Sequence, residues 1–134
     1  MPALAMTTEI TVLGWSVVLL LVQIALQAGT SADLGPAYLF SPRDVPREPG
    51  SLISRRLKRA LDNLLETYPA FIALALALTV TGKAGGIAVT GAWLYLGARV
   101  VFVLIYAAGI PVIRTLVWVA SIVGLVMMLV RLMS

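Results

Sequence analysis

Residues 55–71, Arg55-Arg56-Leu57-Lys58-Arg59-Ala60-Leu61-Asp62-Asn63-Leu64-Leu65-Glu66-Thr67-Tyr68-Pro69-Ala70-Phe71, decide how the chain is read. The stretch opens as a basic collar and ends inside an apolar run. Arg59, Asn63 and Glu66 stand at i, i+4 and i+7, the spacing that brings them to one face of a helix. A carboxylate one or two turns inside a membrane helix is costly to bury, so a partner is expected to face Glu66. Pro69 follows three residues later. It has no N–H, and its ring crowds the carbonyl of Leu65, so a kink beside Glu66 is expected.

Working outward, the whole chain has the composition of a bilayer protein. It has 134 residues, 60% of them hydrophobic and 12% charged, with a mean hydropathy of +1.01. Soluble domains average about 45–50% apolar and about 25% charged. There is no cysteine and no histidine. That excludes disulfides, thiol nucleophiles, a Ser-His-Asp triad and the usual zinc, haem and iron–sulfur ligand sets, so no metal site is expected. The net charge of +4 does not point to nucleic acid. The cations cluster beside apolar spans without aromatic interleaving, as a positive-inside signal does.

The pattern predicts an all-α integral-membrane bundle, a single domain over 1–134 with four helices at about 9–28, 52–81, 87–107 and 112–132 and a long polar loop at 29–51. The first apolar run is too long for a signal-peptide core, and Glu9 precedes it in place of a basic n-region. It reads as a retained span. Gln23 and Gln27 sit one turn apart there, suited either to interhelical hydrogen bonds or to a ligand. The loop carries Gly29, Gly35, Pro36, Pro42, Pro46, Pro49 and Gly50, with a turn expected at Ser41-Pro42-Arg43-Asp44. Gly82-Lys83-Ala84-Gly85-Gly86 is a tight connection between antiparallel neighbours. In the third helix Tyr95, Arg99, Phe102 and Tyr106 recur at i, i+4, i+7 and i+11. Ala108-Gly109-Ile110-Pro111 is the next turn, and Arg114 opens the fourth helix.

Arg43, Arg47, Arg55, Arg56, Lys58, Arg59 and Arg114 fall on one side of the membrane, against Lys83 and Arg131 on the other. The positive-inside rule puts the loop and the third-to-fourth turn in the cytoplasm and both termini outside. Arg59, Asn63 and Glu66 then share a depth with Arg99, Tyr106 and Arg114, and Glu66 and Arg99 are the expected ion pair. Arginines hold carboxylates with paired hydrogen bonds, and a glutamate takes an ammonium. Such a pocket suits a small zwitterion with several carboxylates, such as a peptide. The same residues also suit a buried polar network that only fixes helix packing.

The run Arg59-x-x-x-Asn63-x-x-Glu66-x-x-Pro69, then Tyr95-Leu96-Gly97-Ala98-Arg99-x6-Tyr106, then Pro111-Val112-Ile113-Arg114-Thr115 resembles the MAPEG family, the membrane-associated proteins in eicosanoid and glutathione metabolism. It looks closest to the bacterial branch, whose setting is the inner membrane. The resemblance implies a four-helix bundle assembled as a homotrimer, with glutathione as co-substrate bound between subunits on the cytoplasmic side. It implies glutathione contacts from Arg59, Asn63, Glu66, Arg99, Tyr106 and Arg114. Arg114 would stabilise the thiolate, with Tyr106 assisting as the second catalytic residue. Asp62 stands where one branch carries a further arginine, Phe102 where members often have histidine or tyrosine, and Trp118 where some have tyrosine. Helix one lacks the arginine that some members use there. These departures point away from the eicosanoid reactions.

Two functional readings follow. One is a glutathione transferase or peroxidase acting on an apolar electrophile or lipid peroxide that enters from the bilayer. The other is a non-catalytic binding or partner-regulating module on the same scaffold. A channel is disfavoured, because the polar residues gather at one side and make no path across.

Overall fold

The computed structural model describes residues 6–30 and 52–134. Most of the loop expected at 29–51, with its turn at Ser41-Pro42-Arg43-Asp44, lies outside them. Among the described residues the chain forms four helices: α1 (Thr8–Thr30), α2 (Leu52–Val80), α3 (Ile87–Ala108) and α4 (Pro111–Met133). All four are long and apolar enough to cross a membrane. At 1.5 Å per residue the 29 residues of α2 extend about 44 Å, against about 30 Å of hydrocarbon, so its first basic turns have room to stand outside.

Each helix forms because one stripe is shielded by its neighbours while the rest is apolar enough for lipid. In α2 the buried positions Leu57, Ala60, Leu64, Tyr68, Phe71, Ala75 and Leu78 alternate steps of three and four residues, the seam of a left-handed bundle. From Leu64 onward they pack with Val12 of α1, with Ala88, Ala92, Tyr95 and Leu96 of α3, and with Leu125 and Met128 of α4, whereas Leu57 and Ala60 pack with Phe102 and Val103 of α3. Leu21, Val22, Val112, Leu116 and Val130 point outward. α2 stays continuous through Pro69, which is exposed on its outer face.

α3 and α4 are the most intimate pair, and α1 packs on α2 and α3. The reason is the crossing of Gly91 and Gly124. A Cβ on either would stand 2.6 Å from the other's carbonyl oxygen, so the two backbones are in direct contact, as small residues permit in membrane bundles. Buried hydroxyls tie the other helices. Ser16 and Tyr68 share a hydrogen bond of 2.8 Å between α1 and α2, and Thr67 and Tyr95 one of 2.9 Å between α2 and α3.

The two ends of the bundle are closed differently. At the end holding the basic collar, Gly109 takes the left-handed conformation (φ 79°) and caps α3, its N–H shared between the carbonyls of Ile105 and Tyr106; Pro111 then starts α4 without a donor to satisfy. Arg56 donates to the carbonyl of Ala107 at 3.1 Å, placing a cation at the negative end of the α3 dipole. At the opposite end the second-to-third turn uses positive φ at Gly82, Gly85 and Gly86. There the N–H of Gly85 donates to buried Glu9 at 2.8 Å, Lys83 Nζ donates to the carbonyl of Leu132 at 2.9 Å, and Arg131 Nε to the carbonyl of Lys83 at 2.8 Å.

Candidate functional site

At the basic end a cavity of about 250 Å3 opens between α2, α3 and α4. Asn63 supplies its α2 wall, Phe102 and Tyr106 its α3 wall, and Arg114, Thr115 and Trp118 its α4 wall. Each wall follows from helical spacing. Phe102 and Tyr106 are i and i+4 on α3. Arg114, Thr115 and Trp118 fall on one face of α4, three to four residues apart. Beneath them Leu57, Ala60, Phe102 and Val103 form a small core of their own, joined by Tyr106 and Val117.

Cations and rings alternate along the cavity. The Arg99 guanidinium lies 4.3 Å from the centre of the Phe102 ring. Phe102 meets Tyr106 edge-on at 5.5 Å. The Arg114 guanidinium lies 4.8 Å from the Tyr106 ring. Both cation–π distances are within the favourable range of about 6 Å. The rings therefore hold two guanidinium groups in place, one behind the cavity wall and one in it. Arg114 is half-buried, with its charge available to a ligand.

Arg99 occupies a different position from the other expected ligand residues. It is 1% exposed and sits behind Asn63, donating from Nη1 to Asn63 Oδ1 at 2.9 Å. Glu66, its expected ion partner, does not pair with it. Among the described residues the ion pair formed is Lys58–Asp62, at 3.3 Å on the surface. The reason is angular. Glu66 follows the buried position Leu64 by two residues, which turns it off the seam, and it is exposed with Arg59 and Asp62. Asn63 lies nearer the buried seam and is half-buried. So the shared face of Arg59, Asn63 and Glu66 divides. Asn63 turns to the cavity, and the two charged residues turn outward. Thr67 stays at the seam and Tyr95 goes deeper still, stacked on Phe71 at 4.4 Å. In α1, Gln23 is buried and Gln27 half-buried.

Phe102, Thr115 and Trp118 were not among the expected ligand residues, yet all three line the cavity. The signal for Phe102 was its place in the helical stripe with Tyr106, and for the α4 pair it was adjacency to Arg114 (Thr115) and a step of four residues from it (Trp118). No cluster of acidic residues suited to a metal occurs among the described residues.

The MAPEG family model matches residues 12–134, nearly the whole chain. The chain belongs to the MAPEG family. It is accordingly an integral-membrane protein of that family, with four apolar helices. Neither the curated proteins nor the solved structures yield a match. The motif residues that carried the MAPEG resemblance lie on α2, α3 and α4, with Asn63, Tyr106 and Arg114 at one cavity.

Proposed function

We propose that this MAPEG protein is a glutathione-dependent transferase or peroxidase acting on apolar substrates that enter from the bilayer. The observation that carries the reading is the convergence of Asn63, Tyr106, Arg114 and Thr115 on one aromatic-walled cavity at the basic end. The residues fit a thiol peptide. A guanidinium near the sulfur favours the thiolate over the thiol, releasing the proton to solvent. The Tyr106 hydroxyl can donate to the same sulfur. In a conjugation the thiolate would then form the carbon–sulfur bond to the electrophile, whose leaving group departs with its electron pair.

The cavity of about 250 Å3 is smaller than the roughly 300–1,000 Å3 usual for a small-molecule site. Arg59 and Glu66 are exposed on α2 beside it, and charge facing lipid is costly. Both points support a homotrimer in which a neighbouring subunit completes the pocket and Arg59 and Glu66 reach the glutathione carboxylate and ammonium. The surplus of cations at the cavity end supports a cytoplasmic site with both termini outside; the bacterial inner-membrane setting follows from the family resemblance.

Adding glutathione to purified protein should raise thiolate ultraviolet absorbance and the melting temperature. Absence of both would dispose of this reading. A second reading, a non-catalytic or partner-regulating module, is favoured by Phe102 and Trp118, which line the cavity where hydroxyl-bearing or imidazole side chains occur in other members. Under it, Arg114→Ala would leave the cellular role intact.

A further inference from the structure

We infer that Arg99 is a positioning residue that turns the Asn63 carboxamide, and so makes the cavity a cradle of hydrogen-bond donors for carboxylates and peptide carbonyls. The inference takes its first probe, glutathione, from the reading above and otherwise stands on the geometry alone.

A guanidinium has five N–H donors and no acceptor. The partner of Arg99 Nη1 at 2.9 Å must therefore be the oxygen of Asn63, which removes the usual ambiguity over which way an amide points. With the oxygen turned inward to Arg99, the NH2 group is turned away from it, on the side of the cavity. Arg99 cannot easily let go. It is 1% exposed, held on the Phe102 ring, and its Nε has no hydrogen-bond partner. Losing Asn63 would leave a buried cation still less satisfied, which costs more than a neutral hydrogen bond. Among the described residues the remaining polar lining comes from Tyr106, Arg114 and Thr115, with no carboxylate. A ligand group that accepts hydrogen bonds meets donors on the α2, α3 and α4 walls. Within this lining an ammonium finds only hydroxyl oxygens as acceptors and meets the charge of Arg114; Glu66 stands outside it, exposed on α2.

The test is a double-mutant cycle read by ligand affinity on the full-length protein in detergent, with glutathione as the probe and succinate as a second, simpler one. Arg99→Met should weaken binding about tenfold, and Arg99→Lys, which also only donates, should stay within about threefold of the parent. In an Asn63→Ala background the same Arg99→Met change should have almost no further effect, because its route to the ligand is already gone. Equal losses in both backgrounds, or no loss in the parent, overturn the inference. If the methionine variant does not fold, two other arms decide. Asn63→Asp, which replaces the donor by an acceptor, should abolish succinate binding, and a Glu66→Gln variant, in which the neighbouring carboxylate is neutral, should bind succinate but not a diammonium of the same length. Retained succinate binding in Asn63→Asp, or equal binding of the diammonium, overturns the inference. Loss of glutathione binding alone, with the succinate pattern intact, removes the glutathione reading and leaves the inference standing. Failure of both probes overturns both.

Discussion

Arg114 and Tyr106 do different work although their side chains touch. In the proposed reaction the guanidinium would carry the charge that a thiolate needs, whereas the ring holds that guanidinium in place and its hydroxyl would offer one hydrogen bond. Arg114→Ala should therefore abolish the glutathione thiolate absorbance. Tyr106→Phe keeps the ring and loses only the hydroxyl. A hydrogen bond to a charged group is worth about 1.5–3 kcal/mol, so the phenylalanine variant should lose roughly tenfold to a hundredfold in turnover with little change in melting temperature. Steady-state kinetics on an apolar electrophile would measure it. At this scale the sequence placed residues along each helix but not the way they face. Helical spacing put Arg59, Asn63 and Glu66 on one broad face. It could not place the boundary between Asn63 and its charged neighbours, because that boundary is set by where α3 lies against α2. The supposed Glu66–Arg99 pair failed for the same reason. Shared depth and opposite charge suggested it, but the angle around α2 gave Arg99 an amide instead.

Elements were more legible than side-chain directions. Hydropathy and the glycine-rich turns revealed four spans, since each is long and apolar and the turns after α2 and α3 carry glycines at positive φ. Two contacts escaped notice because they have no signature in one helix alone. The crossing of Gly91 and Gly124 needs both helices to be seen together. A methyl placed at 2.6 Å from a carbonyl oxygen must push the helices apart. Gly91→Ala should destabilise the protein by about 1–3 kcal/mol or more, the range for overpacked cores, seen as a lower melting temperature. Gly97, where an added Cβ meets nothing within 4 Å, is the matched control, and Gly97→Ala should be neutral or slightly stabilising. The bond from Arg56 to the Ala107 carbonyl closes the end of α3, and Arg56→Ala should cost about 1 kcal/mol by the same measurement.

For the whole molecule, the absence of cysteine makes topology directly measurable. Ala108→Cys and Ser134→Cys stand at opposite ends of the bundle. The proposed orientation predicts that a membrane-impermeant maleimide added to intact cells labels Ser134→Cys and spares Ala108→Cys until the membrane is opened. The inverse pattern would reverse the orientation. Native mass spectrometry in detergent should give a trimer of the 14.2 kDa chain. A monomer would leave the cavity at its present size and remove the argument that a neighbour completes it. The expectation of a trimer came only from the family resemblance. Periodicity within one chain marks which faces are apolar, and apolar faces suit lipid and protein partners equally.

The backbone crossing at Gly91 and Gly124 has a practical result for redesign. Two such closely seated rods cannot slide or spread at that point without breaking backbone contact, so the crossing fixes the base from which the Phe102–Tyr106 wall and the Arg114–Trp118 wall rise. Attempts to admit a bulkier molecule would do best to trim Trp118 or Phe102, or to loosen α2. Variation aimed at the spacing between α3 and α4 would spend its effort on the least yielding part of the scaffold.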